Sequence, residues 1–205
     1  METHFPVNVL VRRHAGVQEL HAGITAAVRA LEMQYGGTDQ NAATNDLSTT
    51  QGGFQTPPAM DFLELDNAAV RDLKQRIVLP AIEQYLQDVW DANPYLTPFL
   101  VKSWANILRR GHWQAPHMHP TEFTVISGVY YVDVPPLAEP SGCIEFINPH
   151  PISVSLGGQT ATRRHQPQSG ELLLFPPFYM HYVHPVVEDA ERVVVAFDVR
   201  LRAGA

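Results

Sequence analysis

From Asn93-Pro94 onward the chain is written as short runs of β-branched and aromatic residues, each closed by a turn containing Pro or Gly. Runs of this length are too short for stable helices, and their residue types pack well on a pleated surface, so they read as strands. The candidate strands are residues 99–108, 123–134, 143–147, 152–156, 171–175, 181–183 and 192–201. About seven short strands after a helical first half point to a barrel or sandwich with helices packed on one face. The expected fold class is therefore mainly β with packed helices.

The first half carries the opposite periodicity. Residues 5–11 (FPVNVLV) look like an opening strand. Residues 16–35 place Val17, Leu20, Ile24, Ala27, Val28 and Leu31 at helical spacing, and Gly36-Gly37 stops the helix. Residues 38–60 are polar and rich in Gly and Pro, with almost no periodicity; they read as a long loop and a candidate lid. Residues 67–91 form a second amphipathic pattern through Val70, Leu73, Ile77, Ile82, Leu86, Val89 and Trp90, kinked or restarted at Pro80. The expectation is one domain over 1–205, with 1–92 as mostly helical support and 93–205 as a β-barrel core.

Composition narrows the partners. The chain is 45% hydrophobic and 17% charged, which suits a globular protein. The formal charge is -7 and no Lys/Arg run is long enough to track a phosphate backbone, so nucleic acid is not expected. Cys143 is the single cysteine and cannot form an internal disulfide, and no apolar run reaches the roughly 18 residues that a bilayer requires. The N-terminus has its charges after a short apolar stretch, unlike a signal peptide, so a cytoplasmic setting is the default. Ten histidines against fourteen Lys and Arg is a high share of imidazole. It directs attention to metal chemistry.

The densest chemical signal is Gly111-His112-Trp113-Gln114-Ala115-Pro116-His117-Met118-His119-Pro120. On an extended chain alternate side chains share a face, so His117 and His119 can converge on one ion; the same pair also fits two surface histidines. In the second signal, Gly170 leads an apolar strand into the Pro176-Pro177 corner, and His181 follows. Such a corner can bring a distant residue back beside the first strand. His184, three residues later, faces the other side and reads as a surface or hydrogen-bonding residue. The third signal is Arg192 at the head of Arg192-Val-Val-Val-Ala-Phe-Asp-Val. A guanidinium there can bind a carboxylate through two parallel hydrogen bonds, or pair with Glu188 or Glu191 as an ordinary strand-end arginine.

In this order the motifs resemble the 2-oxoglutarate/Fe(II) dioxygenase superfamily, and more closely a bacterial branch of it related to prolyl hydroxylases. The resemblance rests on His117-Met-His119-Pro120, Ser127-Gly-Val-Tyr-Tyr-Val132, Ser141-Gly-Cys-Ile-Glu-Phe146, the run from Phe175 to Pro185, and Arg192 to Val199, about half the chain; Gly52-Gly-Phe-Gln-Thr56 is similar less specifically. It implies a double-stranded β-helix (a jelly-roll, cupin-like barrel) that holds Fe(II) on His117, His119 and His181. It also implies 2-oxoglutarate as co-substrate, with its far carboxylate on Arg192, Tyr131 beside it and Asn106 as a further contact. Substrate oxidation, typically hydroxylation, would accompany decarboxylation to succinate. Tyr130 and Tyr131 also fit plain barrel packing, as do Trp104, Trp113, Phe178 and Tyr179, which could otherwise line the cavity.

One position departs from the family pattern. The usual set is two histidines and one carboxylate, and here imidazole of His119 stands in the carboxylate's place, leaving the site one negative charge short. Glu122 could restore a carboxylate only if a bulge near Pro120 turned it inward. That arrangement would resemble the cupin motif, met by Gly111, His117, His119 and Glu122 with the glutamate one residue early, and nearly met in its second part by Gly170, Pro176 and His181 with Phe178 in the place of a glycine. A cupin-type metalloenzyme that uses no 2-oxoglutarate, whether dioxygenase or isomerase, thus shares the barrel, and so does a barrel that binds metal or ligand without turnover. The expected partner is a small-molecule substrate, and a homodimer is the commonest state for such an enzyme. No further catalytic residue stands out.

Overall fold

The computed structural model describes residues 6–36, 49–94, 96–149 and 161–202. The strand expected at 152–156 and residues 38–48 of the candidate lid lie outside them. Strand β1 (Leu10–Arg13) and helix α1 (Gln18–Tyr35) come first, followed by a hairpin of two very short strands, β2 (Thr50–Gln51) and β3 (Phe54–Gln55). Helices α2 (Ala68–Leu73) and α3 (Leu79–Trp90) are joined by a π turn over Lys74–Val78. The remaining strands are β4 (Phe99–Leu108), β5 (Trp113–His117), β6 (Thr124–Asp133), β7 (Ile144–Ile147), β8 (Thr162–His165), β9 (Glu171–Phe175), β10 (His181–Val183) and β11 (Arg192–Leu201). They form a six-stranded sheet in the order β1-β9-β6-β11-β4-β3 and a five-stranded sheet in the order β2-β5-β10-β7-β8. Every pairing is antiparallel. This is the expected jelly-roll, and its sheets are completed by three strands from the first half.

Residue parity explains why the long strands read as unbroken apolar runs. On β11, Val193, Val195, Phe197 and Val199 join Ile24, Val28, Val70, Leu73, Ile82 and Leu86 in the core between the large sheet and the helices. The alternate residue Val194 instead packs with Tyr131, Leu173, Phe175, Phe146 and Ile144 between the two sheets. A strand buried on both faces has no polar side to show. Gly128 serves this packing: a Cβ built there would stand 2.4 Å from Phe197 Cζ and 2.7 Å from Leu174 Cδ2.

The second helix runs on through Pro80 by way of a π turn, with helical backbone at Leu73, Lys74, Val78 and Leu79. Asn67 caps α2, its Oδ1 accepting from the N–H of Ala69 and Val70 at 2.9 and 3.2 Å. Pro80 stands in the first turn of α3, where its missing N–H costs little, and the π turn just before it accommodates the ring. The residues from Thr50 to Gln55 differ from the loop expected over 38–60, because β2 and β3 pair with β5 and β4 and tie this segment to both sheets. Just beyond that same end of β4, Arg109 bridges Glu32 of α1 at 2.6 Å and Glu191 at 2.7 Å, fixing the helix to the barrel.

Candidate metal centre

Two strand ends and one corner assemble the histidines. His117 closes β5 and is the cross-strand partner of His181, which opens β10. His119 lies two residues beyond β5, outside the ladder, and is held by its own N–H, which donates to the Pro177 carbonyl at 2.9 Å. The Pro-Pro corner therefore positions two ligands: it delivers His181 and anchors His119. One nitrogen from each of the three rings lies within 4.8 Å of the others, a spacing that a single ion can bridge.

The far side of each ring fixes its tautomer. His117 Nδ1 lies 2.7 Å from the Ala115 carbonyl oxygen and His181 Nδ1 lies 2.8 Å from that of Tyr179. A carbonyl can only accept, so Nδ1 carries the proton and Nε2 presents its lone pair. His119 Nδ1 sits 2.8 Å from Asp198 Oδ1, a carboxylate rather than a carbonyl. Burial pushes His117 down to about 4, and burial together with the neighbouring His117 pushes His181 down to about 3. Near neutral pH both rings are uncharged, the form that binds a metal. Trp104 stacks on the His119 ring at 6.0 Å between centroids, with the planes 26° apart.

Beside the histidines lies a cavity of about 270 Å³. Arg192, Tyr131 and Asn106 line it, and β11 brings them into one neighbourhood, because Val194 pairs with Asn106 on one side and Tyr131 on the other. Arg192 is 2% exposed, yet its Nε and Nη1 have no hydrogen-bond partner among the described residues, and neither do the Tyr131 hydroxyl and Asn106 Oδ1. The guanidinium carbon sits 5.1 Å from the centre of the Tyr131 ring. Burial holds the Arg192 pKa below its ordinary value, and the same cause raises Tyr131 to about 12, so the phenol keeps its proton. Buried donors without partners are rare, and their clustering on one wall marks a place for an acceptor-rich ligand.

The strand-end alternative for Arg192 does not hold: Glu191 pairs with Arg29 and Arg109, and Glu188 bonds the Ser141 hydroxyl and the Ala138 N–H. Glu122 is exposed in the turn between β5 and β6 and is not part of the ligand cluster. His184 turns away and bonds Glu145 at 2.5 Å. Of the four aromatic residues considered for the cavity, Trp104 lines it, whereas Tyr179 stacks on Phe146 at 4.6 Å, and Trp113 and Phe178 are exposed. Sequence reasoning missed Asp198, Gln55 and Gln114. Gln55 Oε1 accepts from Asn106 Nδ2 at 3.0 Å and from Thr50 at 2.9 Å, and Gln114 donates to Thr50 at 3.3 Å, which gives the cavity an amide-lined side. Asp198 did leave a signal, since it follows Arg192 by an even number of residues and so shares its inward face.

Residues 102–198 match a family model described as "Putative 2OG-Fe(II) oxygenase". No curated protein matches the sequence. Among solved structures, a prolyl-4-hydroxylase from Pseudomonas putida is similar at 15% identity and a TM-score of 0.62, with 94% of this chain and 92% of that chain covered. A prolyl hydroxylase from Trichoplax adhaerens, solved with a hypoxia-inducible-factor peptide fragment, aligns at 12% identity and TM-score 0.65 over 94% of this chain and 83% of that one. HygX from Streptomyces hygroscopicus, solved with nickel and 2-oxoglutarate, aligns at 12% identity and TM-score 0.64 over 95% and 83%.

Proposed function

We propose, from the match of residues 102–198 to the oxygenase family model, that this chain is a 2-oxoglutarate/Fe(II) oxygenase in which His117, His119 and His181 hold the iron, Arg192, Tyr131 and Asn106 hold 2-oxoglutarate, and a small molecule is hydroxylated. The observation that carries the assignment is the pairing of two features in one cavity: three converging, neutral imidazoles, and a buried guanidinium whose Nε and Nη1 are unpaired. Three neutral ligands leave coordination positions open for a chelating co-substrate and oxygen.

When bound, Fe(II) would activate O2, the oxidant, with two of its four electrons supplied by 2-oxoglutarate as it is oxidised to succinate and CO2 and two by the substrate. The chain's own groups do the rest. Arg192 offers two N–H donors to a carboxylate, Tyr131 adds a hydroxyl donor, and Asn106 Oδ1 is free to accept. The carbonyls of Ala115 and Tyr179 keep the Nδ1 protons of His117 and His181 away from the ion. The apolar wall of Val129, Ile144, Phe175 and Val194 excludes water from the reacting centre. About 270 Å³ is small for a ligand cavity, so the substrate is expected to sit toward its open side, near the exposed Met118. A cytoplasmic setting with no nucleic-acid partner completes this reading, on the grounds of one cysteine and a net charge of -7.

The test is spectroscopic and needs no substrate. Anaerobic Fe(II) protein given 2-oxoglutarate should develop a metal-to-ligand charge-transfer band, and Arg192→Ala should lose it while retaining iron. His117→Ala and His181→Ala should lose iron itself. Iron binding that survives both histidine substitutions would sink the assignment, and a band that survives Arg192→Ala would remove the co-substrate role of that residue.

A further inference from the structure

The histidine triad contains no carboxylate, yet a buried carboxylate stands directly behind one of its rings. Resting on the metal assignment above, we propose that Asp198 is the outer anion of the metal centre: it fixes His119 with Nε2 facing the ion and returns to the site the negative charge that the triad lacks.

The three ligands are not equivalent on their far sides. His117 and His181 each lean on the carbonyl two residues earlier, a neutral dipole supplied by the local backbone. His119 leans on Asp198 across the barrel, at 2.8 Å. Asp198 is 4% exposed and sits within β11, paired with Lys102 on β4 and Ser127 on β6. A carboxylate taken from water costs several kcal/mol unless it is compensated. The Ser127 hydroxyl donates to Asp198 at 2.8 Å, and His119 is its one ionic partner among the described residues, while the Lys102 ammonium is engaged with the Met60 carbonyl at 2.9 Å. The compensation is therefore incomplete until a cation reaches the other face of the imidazole.

A carboxylate behind a ligating imidazole makes its Nε2 more basic and locks the ring. The ring is confined from two other directions, by Trp104 stacked on its face and by the backbone bond to Pro177. His119 thus behaves as an imidazole with a carboxylate wired to its back. The charge usually brought by a direct carboxylate ligand is held one group further out. Asp198 is a positioning residue, because it acts through His119.

Binding of Co(II), titrated anaerobically and read from its visible bands, tests this without turnover or 2-oxoglutarate. Asp198→Asn keeps the shape and an oxygen acceptor but removes the charge, and should weaken Co(II) binding by about 10- to 100-fold. His119→Asp moves a carboxylate to the ligand position, where it faces Asp198 as a like charge. With no imidazole left for Asp198 to orient and a carboxylate already at the ligand position, D198N should weaken Co(II) binding by the H119D protein far less than it weakens binding by the wild type. A purely structural role would make D198N equally harmful in both backgrounds, and that result, or a dissociation constant for D198N within twofold of wild type, overturns the proposal. The unmutated protein loaded with Zn(II) gives a check independent of folding: nitrogen-proton NMR should find the His119 proton on Nδ1, and finding Nδ1 bare overturns the proposal as well. If His117→Ala and His181→Ala retain Co(II), the metal centre itself is wrong; if they lose it while D198N does not, only the role of Asp198 fails.

Discussion

Replacing Arg192 by Met should make the ligand-free protein more stable while destroying co-substrate binding. Arg192 is among the largest fully buried side chains, and its Nε and Nη1 meet no acceptor among the described residues. Each unmet buried donor costs ~1–3 kcal/mol, so the pair costs ~2–6 kcal/mol. The Tyr131 ring, 5.1 Å from the guanidinium carbon, offsets ~0.5–2 kcal/mol of this through its π face. A net penalty of ~0–5.5 kcal/mol remains, about 3 kcal/mol at mid-range, and methionine, flexible and of similar reach, relieves it without opening a large cavity. At ~2–4 °C per kcal/mol for a chain of this size, a mid-range penalty of about 3 kcal/mol means that the melting temperature of metal-free R192M should rise by ~6–12 °C. Adding Ni(II) and 2-oxoglutarate at a hundred times its dissociation constant should stabilise the wild type by ~2.7 kcal/mol and leave R192M at its metal-only value. Thermal melts followed by circular dichroism, with and without the ligands, measure both effects. A lower melting temperature for ligand-free R192M, or an equal response of both proteins to 2-oxoglutarate, would refute the reading of Arg192 as an unsatisfied anion receptor.

Glu122→Ala should leave metal affinity and stability unchanged within ~0.5 kcal/mol, as expected of an exposed turn residue; a large loss of Fe(II) or Co(II) affinity by titration would instead bring Glu122 into the coordination set. The stability of the metal-free protein should be flat above pH 6.5 and fall as the pH drops toward 4. His117 stays neutral in the fold down to about 4, whereas the unfolded chain takes up its proton near 6.5. That difference amounts to ~3 kcal/mol for His117, and His181 acts in the same direction. Urea denaturation midpoints that do not move between pH 7 and 5 would contradict it. Gly128→Ala should cost ~1–3 kcal/mol through overpacking against Phe197 and Leu174, with Co(II) affinity retained; a melting temperature equal to wild type would show that the sheet yields there.

The strands most legible in the sequence are those buried on both faces. Strands β4, β9, β10 and β11 span the residues expected of them, because their apolar runs end sharply at turn residues. The illegible ones lie at or near the edges of the sheets. Strand β8 reads Thr-Arg-Arg-His and carries its charges toward solvent, as edge strands do when they avoid pairing with another molecule, so it has no apolar signature. Strand β1 begins later than expected and runs into Arg12 and Arg13, at the opposite sheet's edge. Strands β2 and β3 have two residues each, fewer than any periodicity needs. What specifies them is tertiary: a slot beside β5 and β4 that exists only once the barrel has closed.

The site divides along a similar line. His117, His119 and His181 are visible in the sequence because turn residues surround them and imidazole is scarce in a barrel core. Asp198 is hidden for the opposite reason, as one polar residue in a strand whose neighbours all argue for burial in a hydrophobic core. Parity from Arg192 places it on the inward face, and that face is not the apolar one. Along β11 the helix-facing residues are Val193, Val195, Phe197 and Val199, while the inward-facing set is Arg192, Val194, Ala196 and Asp198. A cation and an anion thus sit six residues apart on one face of one strand, too far along it to neutralise each other. At ~3.3 Å per residue their Cα atoms are ~20 Å apart. If stability alone had shaped this face, the two charges would be paired or absent. Their separation would leave the arginine free for an anionic ligand at one end and the aspartate free to support a cation at the other, as the proposed site for a dicarboxylate and a divalent metal requires.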